Sequence, residues 1–177
     1  MPLPINLPTT LPMVLARPLV NNAARMFSLP AKLVPFTAHK AVLDHVLHTL
    51  FAEALADGDF EFLEGYWLEL EVRDMGQRWY FTNVRNKLMI RKQRCGSDVR
   101  FSANLNDLVL IAARKADPDT LFFQRRLRIE GDTELGLEIK NLIDGIDLNA
   151  LPLLLNKLMG QCAEMIHQVE LEQQEQP

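Results

Sequence analysis

The spacing of apolar residues changes at Gly58, and this change constrains the fold more than any other feature of the chain. Residues 38–57 repeat apolar side chains at helical spacing in two adjacent rows. This pattern predicts one helix with a wide apolar face, which must pack against something large. Thr37 is its expected N-cap and Gly58 its expected C-terminal stop.

After Gly58 the apolar period falls to two. Alternating segments at 66–73, 78–84, 87–93 and 98–104 predict four short strands, with a turn near Arg85 and Asn86. In the first segment Leu68 and Leu70 alternate with Glu69 and Glu71, so one face of that strand is expected to be wet. No crossover helix separates the four segments, so we expect an antiparallel meander.

The rest of the chain predicts helices with one further strand. A helix over 105–116 is ended by Asp117-Pro118, and a fifth strand follows at 123–131. A helix over 133–145 is capped by Asp132 or Thr133, and a last helix is capped by Asn149. Its apolar stripe comprises Leu151, Leu154, Leu155, Leu158, Cys162, Met165 and Val169. Helices beside a mostly antiparallel five-stranded sheet make an α+β fold.

The two ends of the chain differ in charge from its centre. Residues 1–43 contain no Asp or Glu but hold seven of the ten prolines, whereas the tail carries glutamates. We therefore divide the chain into a cationic, proline-rich amphipathic segment (1–36), a central domain (37–147), and a C-terminal helix with an acidic tail (148–177). A helix at about 11–28 would pack on the domain or a partner subunit, or lie on an anionic membrane surface. The residues expected to contact membrane are Leu15, Arg17, Leu19, Arg25, Met26 and Phe27.

Several functional classes are excluded or unsupported. The chain is 48% hydrophobic with a net charge of −4, and no uninterrupted apolar run of about 20 residues predicts a transmembrane helix. Nucleotide-binding and hydrolase motifs are absent. His45 and His48 share one helical turn with Asp44 adjacent, but no further metal ligand converges on them, so we expect a solvated helix face, no metal and no cofactor.

Two features remain open at the level of residue patterns. Residues 85–100 hold six basic side chains against one acid, Asp98. This stretch suits a solvated sheet face or an anionic lipid surface, and it has no aromatic residue to stack nucleic-acid bases. The helices and the sheet also carry more Leu, Met and Phe than a compact core of this size obviously needs. A hydrophobic cavity, an oligomer interface or an ordinary hydrophobic core would each account for these residues.

The segment 117–144 carries a resemblance to a known family. It resembles the sterol carrier protein type-2 family, whose pattern runs from two phenylalanines through a strand ending in Gly-Asp into a helix. The matching residues are Phe122, Phe123, Leu127, Ile129, Gly131 and Asp132. Arg125 departs from the pattern, because the broader family tends to have glycine there.

Further segments are similar to one bacterial branch, the lipid-binding accessory factors of ubiquinone biosynthesis. They lie at 29–36, 62–74 and 101–127. The resemblance implies a five-stranded sheet whose helices enclose an apolar tunnel. It implies a non-enzymatic protein that holds polyprenyl quinone intermediates or phospholipid. We expect the protein in the cytoplasm, either free or peripheral at the inner membrane. The implied partners are a pair of iron–sulfur hydroxylases of the oxygen-independent ubiquinone pathway.

Apolar periodicity supplies candidates for the lining of such a tunnel. We expect lipid to contact Tyr66, Leu68, Leu70, Phe101, Leu108, Ile111, Phe122, Leu135, Ile139, Leu142, Leu154, Leu158 and Met165.

Two other functional classes stay open beside the lipid carrier. One is a structural adaptor whose apolar surplus forms a homodimer or complex interface. The other is an enzyme acting on a lipid substrate.

Overall fold

The computed structural model describes residues 16–24, 26, 34–145 and 150–174. It contains one five-stranded sheet of order β3-β2-β1-β4-β5. The strands are β1 (Leu68–Val72), β2 (Gln77–Asn83), β3 (Leu88–Arg91), β4 (Val99–Ala103) and β5 (Arg128–Gly131). The mixed α+β architecture and the five strands confirm the predicted fold class.

Helices precede, interrupt and follow the sheet. A helix over 16–24, called α1, comes first. The others are α2 (Phe36–Leu50), α3 (Ala52–Asp57), α4 (Leu105–Ala112), α5 (Pro118–Phe123), α6 (Thr133–Asp144) and α7 (Leu153–Gln174). The predicted cap Asn149 lies outside the described residues, as does part of the predicted 11–28 helix. Asp132 caps α6 as predicted, because its side chain accepts hydrogen bonds from the backbone of Glu134 and Leu135.

The expected four-strand antiparallel meander is wrong at its last step. Strands β1 to β3 form a meander, but β4 pairs parallel to β1 on the other side. The register shows how the short connection 92–98 can join β3 to a strand on the other side of β1. Arg91, the last residue of β3, is level with Arg100, the second residue of β4, so residues 92–98 cross the sheet sideways. Three strand spacings of about 4.8 Å are well within the reach of seven residues at roughly 3.3 Å each.

The predicted first helix is divided in two at Phe51. Phe51 leaves helical geometry at φ −114°, and its ring packs edge-on against Phe60 with centroids 5.5 Å apart. Gly58 ends α3 in the left-handed conformation at φ 85°, as predicted. Thr37 is not the N-cap, since α2 begins two residues earlier than predicted, at Phe36, and its N-cap is Pro35, which has no side-chain donor or acceptor.

Residues 118–123 form α5, a helix that the sequence did not predict and that takes Phe123 from the start of the predicted fifth strand. The Asp117 carboxylate accepts hydrogen bonds from Thr120 N and Thr120 Oγ1, which caps a helix opened by Pro118. These bonds from Thr120 lower the pKa of Asp117. Strand β5 is correspondingly shorter than predicted. Asp117-Pro118 therefore starts α5, whereas α4 ends at Ala112, four residues before its predicted end at 116.

The face of the sheet that carries Glu69 and Glu71, called the back face, is less exposed to solvent than predicted, because Glu69 is only 2% exposed. The crossing segment 92–98 lies over it: Ser97 Oγ donates to Glu69 Oε2 at 3.1 Å, and Arg100 Nη2 donates to the same oxygen at 3.2 Å. Beside them, Arg78 donates to Glu71 Oε1, and this bond raises the pKa of Arg78. Charged side chains of neighbouring strands thus pair across this face.

Helix α7 packs through a stripe that matches the predicted one only in part, at Met165 and Val169. It buries Ala163, Ile166 and Val169, the last two against Leu110 of α4 and the apolar side of α1, whereas Cys162 is exposed. Leu151 is buried as predicted, but Leu153, Leu154, Leu155 and Leu158 are exposed at the start of the helix. The stripe is displaced because α7 meets α4 rather than the sheet.

Candidate functional site

An apolar pocket of about 190 Å³ lies between the front face of the sheet and the helices. Strands β1 to β4 supply its floor, and α2, α4 and α6 supply its walls. All its lining side chains are apolar: Leu47, Phe51, Phe60, Phe62, Leu63, Leu68, Leu70, Phe81, Leu88, Phe101, Leu108, Ile111, Ala112, Ile139, Leu142 and Ile143. Among the residues that the structure describes, no charged or hydrogen-bonding side chain lines the pocket.

The strand register places the floor residues on one face. Leu68 pairs with Phe81 on one side and Val99 on the other, and Leu70 pairs with Phe101. Directly paired residues point to the same side of a sheet, so the alternation read from the sequence becomes a continuous apolar surface. The wider core continues beneath the pocket through Val99, Leu121 and Leu127.

Such a pocket can remove hydrocarbon from water and can do little else. Burial stabilises apolar surface by about 25 cal/mol per Å². A polar head group placed inside would lose its hydrogen bonds to water without finding partners. Acid–base and nucleophilic chemistry need polar groups, and the lining offers none. The geometry therefore suits the hydrophobic tail of an amphiphile.

A second, polar groove of about 710 Å³ adjoins the apolar pocket. It runs between the α2–α3 junction and the C-terminal end of α6, and Ala150 also lines it. Phe51 and Leu142 line both spaces, so these two side chains form the wall between them. The groove also carries Thr49, Asn141 and several carboxylates. A tail in the pocket would find polar surroundings for its head group immediately outside this wall.

The structure brings seven of the expected lipid-contact residues together. Those in the pocket lining are Leu68, Leu70, Phe101, Leu108, Ile111, Ile139 and Leu142. Their contact with lipid stays a prediction, but their convergence follows from strand alternation and from the buried faces of α4 and α6.

The other six expected residues lie elsewhere. Tyr66 precedes β1 and is 48% exposed; Leu135 is buried in the core below the pocket. Phe122 is exposed on α5, a helix that the sequence did not predict. Leu154 and Leu158 are exposed on α7, and Met165 packs between α7 and its neighbours.

The periodicity argument did not select nine lining residues. They are Leu47, Phe51, Phe60, Phe62, Leu63, Phe81, Leu88, Ala112 and Ile143. Leu47 and Phe51 do lie in one of the two rows of the first predicted helix, so that signal was available. Phe60, Phe62 and Leu63 belong to an irregular connection and a short 3-10 turn, where neither helical nor strand periodicity applies.

The residues expected to contact membrane are only partly described. Arg17 forms an ion pair of 2.9 Å with Glu172 of α7, and α1 buries Ala16 and Val20 rather than the predicted side. Leu19 and Met26 are exposed. Leu15, Arg25 and Phe27 lie outside the described residues. The described part of α1 therefore packs on the domain through Ala16 and Val20.

No helix among the described residues is long and apolar enough to cross a membrane.

Comparison with known proteins identifies relatives over most of the chain. The ubiquinone biosynthesis accessory factor UbiT of Escherichia coli K12 is 50% identical over 148 residues, which is 84% of each chain. UbiT of Escherichia coli O157:H7 gives the same identity and coverage.

A solved structure of the UbiJ-SCP2 ubiquinone synthesis protein has a similar fold. It superposes with a TM-score of 0.51 at 19% identity, covering 62% of this chain and 97% of that one. The profile of the SCP-2 sterol transfer family matches residues 43–144, which hold the whole sheet and the pocket. This chain belongs to the SCP-2 sterol transfer family.

Proposed function

We propose that the chain is a non-enzymatic, lipid-binding accessory factor of ubiquinone biosynthesis. It holds polyprenyl quinone intermediates for the oxygen-independent pathway and presents them to iron–sulfur hydroxylases. The central domain, 37–147, is the binding unit. The observation that carries the proposal is that every described side chain lining the pocket is apolar. The UbiT relatives supply the pathway to which we assign it.

The physical requirement for such a factor follows from its ligand. A prenylated aromatic intermediate exposes a long apolar tail and is very insoluble. In the proposed complex the tail enters the pocket, and the aromatic head lies in the polar groove beyond Phe51 and Leu142. The pocket's 190 Å³ is below the roughly 300 Å³ at which small-molecule sites begin. A tail of several prenyl units therefore requires the pocket to widen into a tunnel.

A pocket-filling substitution tests the proposal without burying a charge. Ala112 lines the pocket from α4, whereas its neighbour Ala113, the C-terminal cap of that helix, does not. A cavity of about 150 Å³ holds a benzene molecule, so the added ring of Ala112→Phe should fill most of the space. We expect purified wild-type protein and Ala113→Phe to carry extractable prenylated quinone intermediates, and Ala112→Phe to carry none.

Native mass spectrometry followed by lipid extraction makes this comparison. Phospholipid in place of quinone intermediates would keep the carrier function but overturn the pathway ligand. Equal amounts of lipid bound by Ala112→Phe and Ala113→Phe would overturn the assignment of this pocket as the lipid site. Wild-type protein that carries no lipid and takes up no added quinone precursor would favour a structural adaptor, for which the exposed leucines at the start of α7 offer an interface.

A further inference from the structure

Strand β5 is an open edge of the sheet. Among the described residues it pairs only with β4, and its residues are exposed except for Ile129, which is half-buried. The strand at the other edge, β3, packs against α2. Unpaired backbone N–H and C=O groups along an exposed edge form a template for a further strand. Strand β5 therefore offers its outer backbone groups to a partner.

The hydrogen bonds to β4 show which backbone groups of β5 point outward. Asp132 N–H donates to Asp98 O at 3.0 Å, and the two residues lie opposite each other in the β4–β5 register. Inward and outward backbone groups alternate along an antiparallel strand. The N–H and C=O groups of Ile129 and Gly131 therefore point away from the sheet. A strand added at this edge must form its hydrogen bonds with these two residues.

The side chains of β5 carry opposite charges on the back face of the sheet. Pairing with Phe101 places Ile129 on the front face, so Arg128 and Glu130 both lie on the back face. Arg128 is exposed and has no ion-pair partner in the part of the chain that the structure describes. The side chain of Glu130 is 58% exposed and lies 3.9 Å from Arg100. The open edge thus presents one charge of each sign, two residues apart on one face.

A second copy of this chain would supply a strand that matches the edge in only one register. Two β5 strands pair antiparallel about a two-fold axis when their outward-pointing residues face one another. Centring the axis on Arg128 or on Glu130 sets like charges directly opposite, and centring it on Gly131 sets Glu130 opposite Asp132. Like charges in directly opposed positions destabilise a strand pair. Centring the axis on Ile129 instead sets Arg128 of each copy opposite Glu130 of the other.

An apolar groove flanks the same edge on the front face. It has a volume of about 370 Å³ and lies between α5, β5 and α6. Phe122 and Leu137 line the groove and are 43% and 56% exposed. Phe123 is 82% exposed and packs edge-on against Phe122. Contiguous exposed apolar surface of this kind marks an interaction site. Because Ile129 also lines the groove, a two-fold axis at this residue brings the grooves of two copies together.

We infer that β5 is the interface of a homodimer, in which two copies pair antiparallel about Ile129 and join their sheets edge to edge. The two Ile129 residues exchange backbone N–H···O bonds. Arg128 and Glu130 form two ion pairs between the copies on the back face, and the apolar grooves meet on the front face. Directly opposed residues point to the same side of a sheet, so both lipid pockets lie on one side of the dimer. The inference does not depend on which lipid the pocket binds.

The exposed leucines at the start of α7 are the competing interface for a second copy. Leu153 and Leu154 are 89% and 70% exposed. An exposed apolar helix face can pack against many surfaces and does not select a register. The β5 edge is favoured because its backbone direction, its charges and its apolar groove all agree on one arrangement.

Sedimentation equilibrium of the full chain tests the inference. A short interface gives weak association, so the protein is measured between roughly 1 and 200 μM. We expect wild-type protein to be a dimer that dissociates on dilution. Arg128→Glu and Glu130→Arg each set like charges opposite one another twice in the dimer, and each should raise the Kd at least about tenfold. Glu53→Arg and Lys157→Glu make the same changes in net charge at exposed positions elsewhere and should dimerise like wild type.

Mixing the two β5 charge variants provides the sharpest test of the register. Arg128→Glu offers two carboxylates at the axis and Glu130→Arg offers two guanidinium groups, so each charge meets its opposite in a mixed dimer. We expect an equimolar mixture to dimerise about as tightly as wild type, although neither variant does so alone. An equimolar mixture of Glu53→Arg and Lys157→Glu should associate no more tightly than wild type. The double variant Arg128→Glu/Glu130→Arg should dimerise again, which separates a lost interface from a lost fold.

A matched pair of leucine variants distinguishes the two candidate interfaces. Leu137→Arg places a charge in the groove beside β5 and should weaken the dimer about tenfold or more. Leu154→Arg places the same charge on α7 and should leave the dimer unchanged. Both leucines are exposed, so both variants are expected to fold. The reverse result would move the interface to α7 and overturn the inference.

Amide hydrogen exchange followed by NMR locates the interface on the backbone. The N–H groups of Ile129 and Gly131 should exchange several-fold more slowly at 200 μM than in dilute monomer, since they are bonded only in the dimer (roughly the upper concentration above). A dimer in which these two amides stay unprotected would overturn the inference. A wild-type monomer at every concentration would also overturn it, and would leave a strand of another protein as the occupant of this edge.

Discussion

Arg126 Nε donates a 2.9 Å hydrogen bond to Oδ1 of Asp107, whose side chain on α4 is almost completely buried. The same guanidinium contacts Glu170 of α7 on its other side. Its burial lowers the pKa, but the bonds and charges of Glu170 and Asp107 outweigh this and raise the pKa of Arg126. One side chain therefore joins the segment before β5 to both helices.

Replacing Arg126 with methionine should destabilise the domain by about 3 kcal/mol, because it leaves the Asp107 carboxylate buried without its counter-charge. Chemical denaturation monitored by circular dichroism would measure this loss. Arg128→Met, at an exposed position on β5, is the matched control and should change stability by less than about 0.5 kcal/mol. Equal stabilities of the two variants would show that the bridge contributes little.

The order of elements could be predicted from the sequence because it depends on local patterns. Turns at Arg85 and Asn86, both with positive φ, and at Gly58 lie where the sequence placed them. The parallel pairing of β4 with β1 could not be predicted, since it depends on the level at which β3 ends. The α7 stripe was misplaced for a similar reason: its partner is α4, which periodicity does not identify.

The pocket was predictable only where regular elements line it. Residues on β1, β4, α4 and α6 were found because alternation and helical spacing fix their direction. Phe60, Phe62 and Leu63 were missed because the connection after Gly58 has no regular period. Leu154 and Leu158 were included because an apolar stripe shows that a face is hydrophobic but does not show what covers it.

Gly131→Ala should be strongly destabilising. Gly131 has φ +107°, and a Cβ there would lie 2.2 Å from Asp98 O, so either β5 or the crossing segment must move. Gly160→Ala gives the opposite expectation, because Gly160 lies within α7 with nothing within 4 Å of the added carbon. It should stabilise the fold by roughly 0.5–1 kcal/mol. Thermal melts would show whether Gly131→Ala lowers and Gly160→Ala raises the melting temperature.

Removing bound lipid should lower the melting temperature. A ligand that binds only the folded state stabilises it by about 3 kcal/mol at a concentration a hundredfold above its Kd. Protein stripped by detergent exchange should therefore melt earlier and recover when a prenylated phenol is added back. Ala112→Phe should show neither the loss nor the recovery. A shift of the same size in that variant would mean that the lipid acts outside the pocket.

The conformation of Arg125 gives a physical reason for glycine at this position in the broader family. Arg125 has φ +60°, in the tight turn that joins α5 to β5, where its N–H donates to Phe122 O at 2.9 Å. Left-handed geometry is tolerated by glycine and is strained in a β-branched residue. We expect Arg125→Gly to be more stable than Arg125→Val by about 2 kcal/mol in urea unfolding. The same pair at Arg128, on β5 and without positive φ, should show the reverse order, because glycine weakens a strand. If valine were favoured at both positions, the turn at Arg125 would not require a left-handed residue.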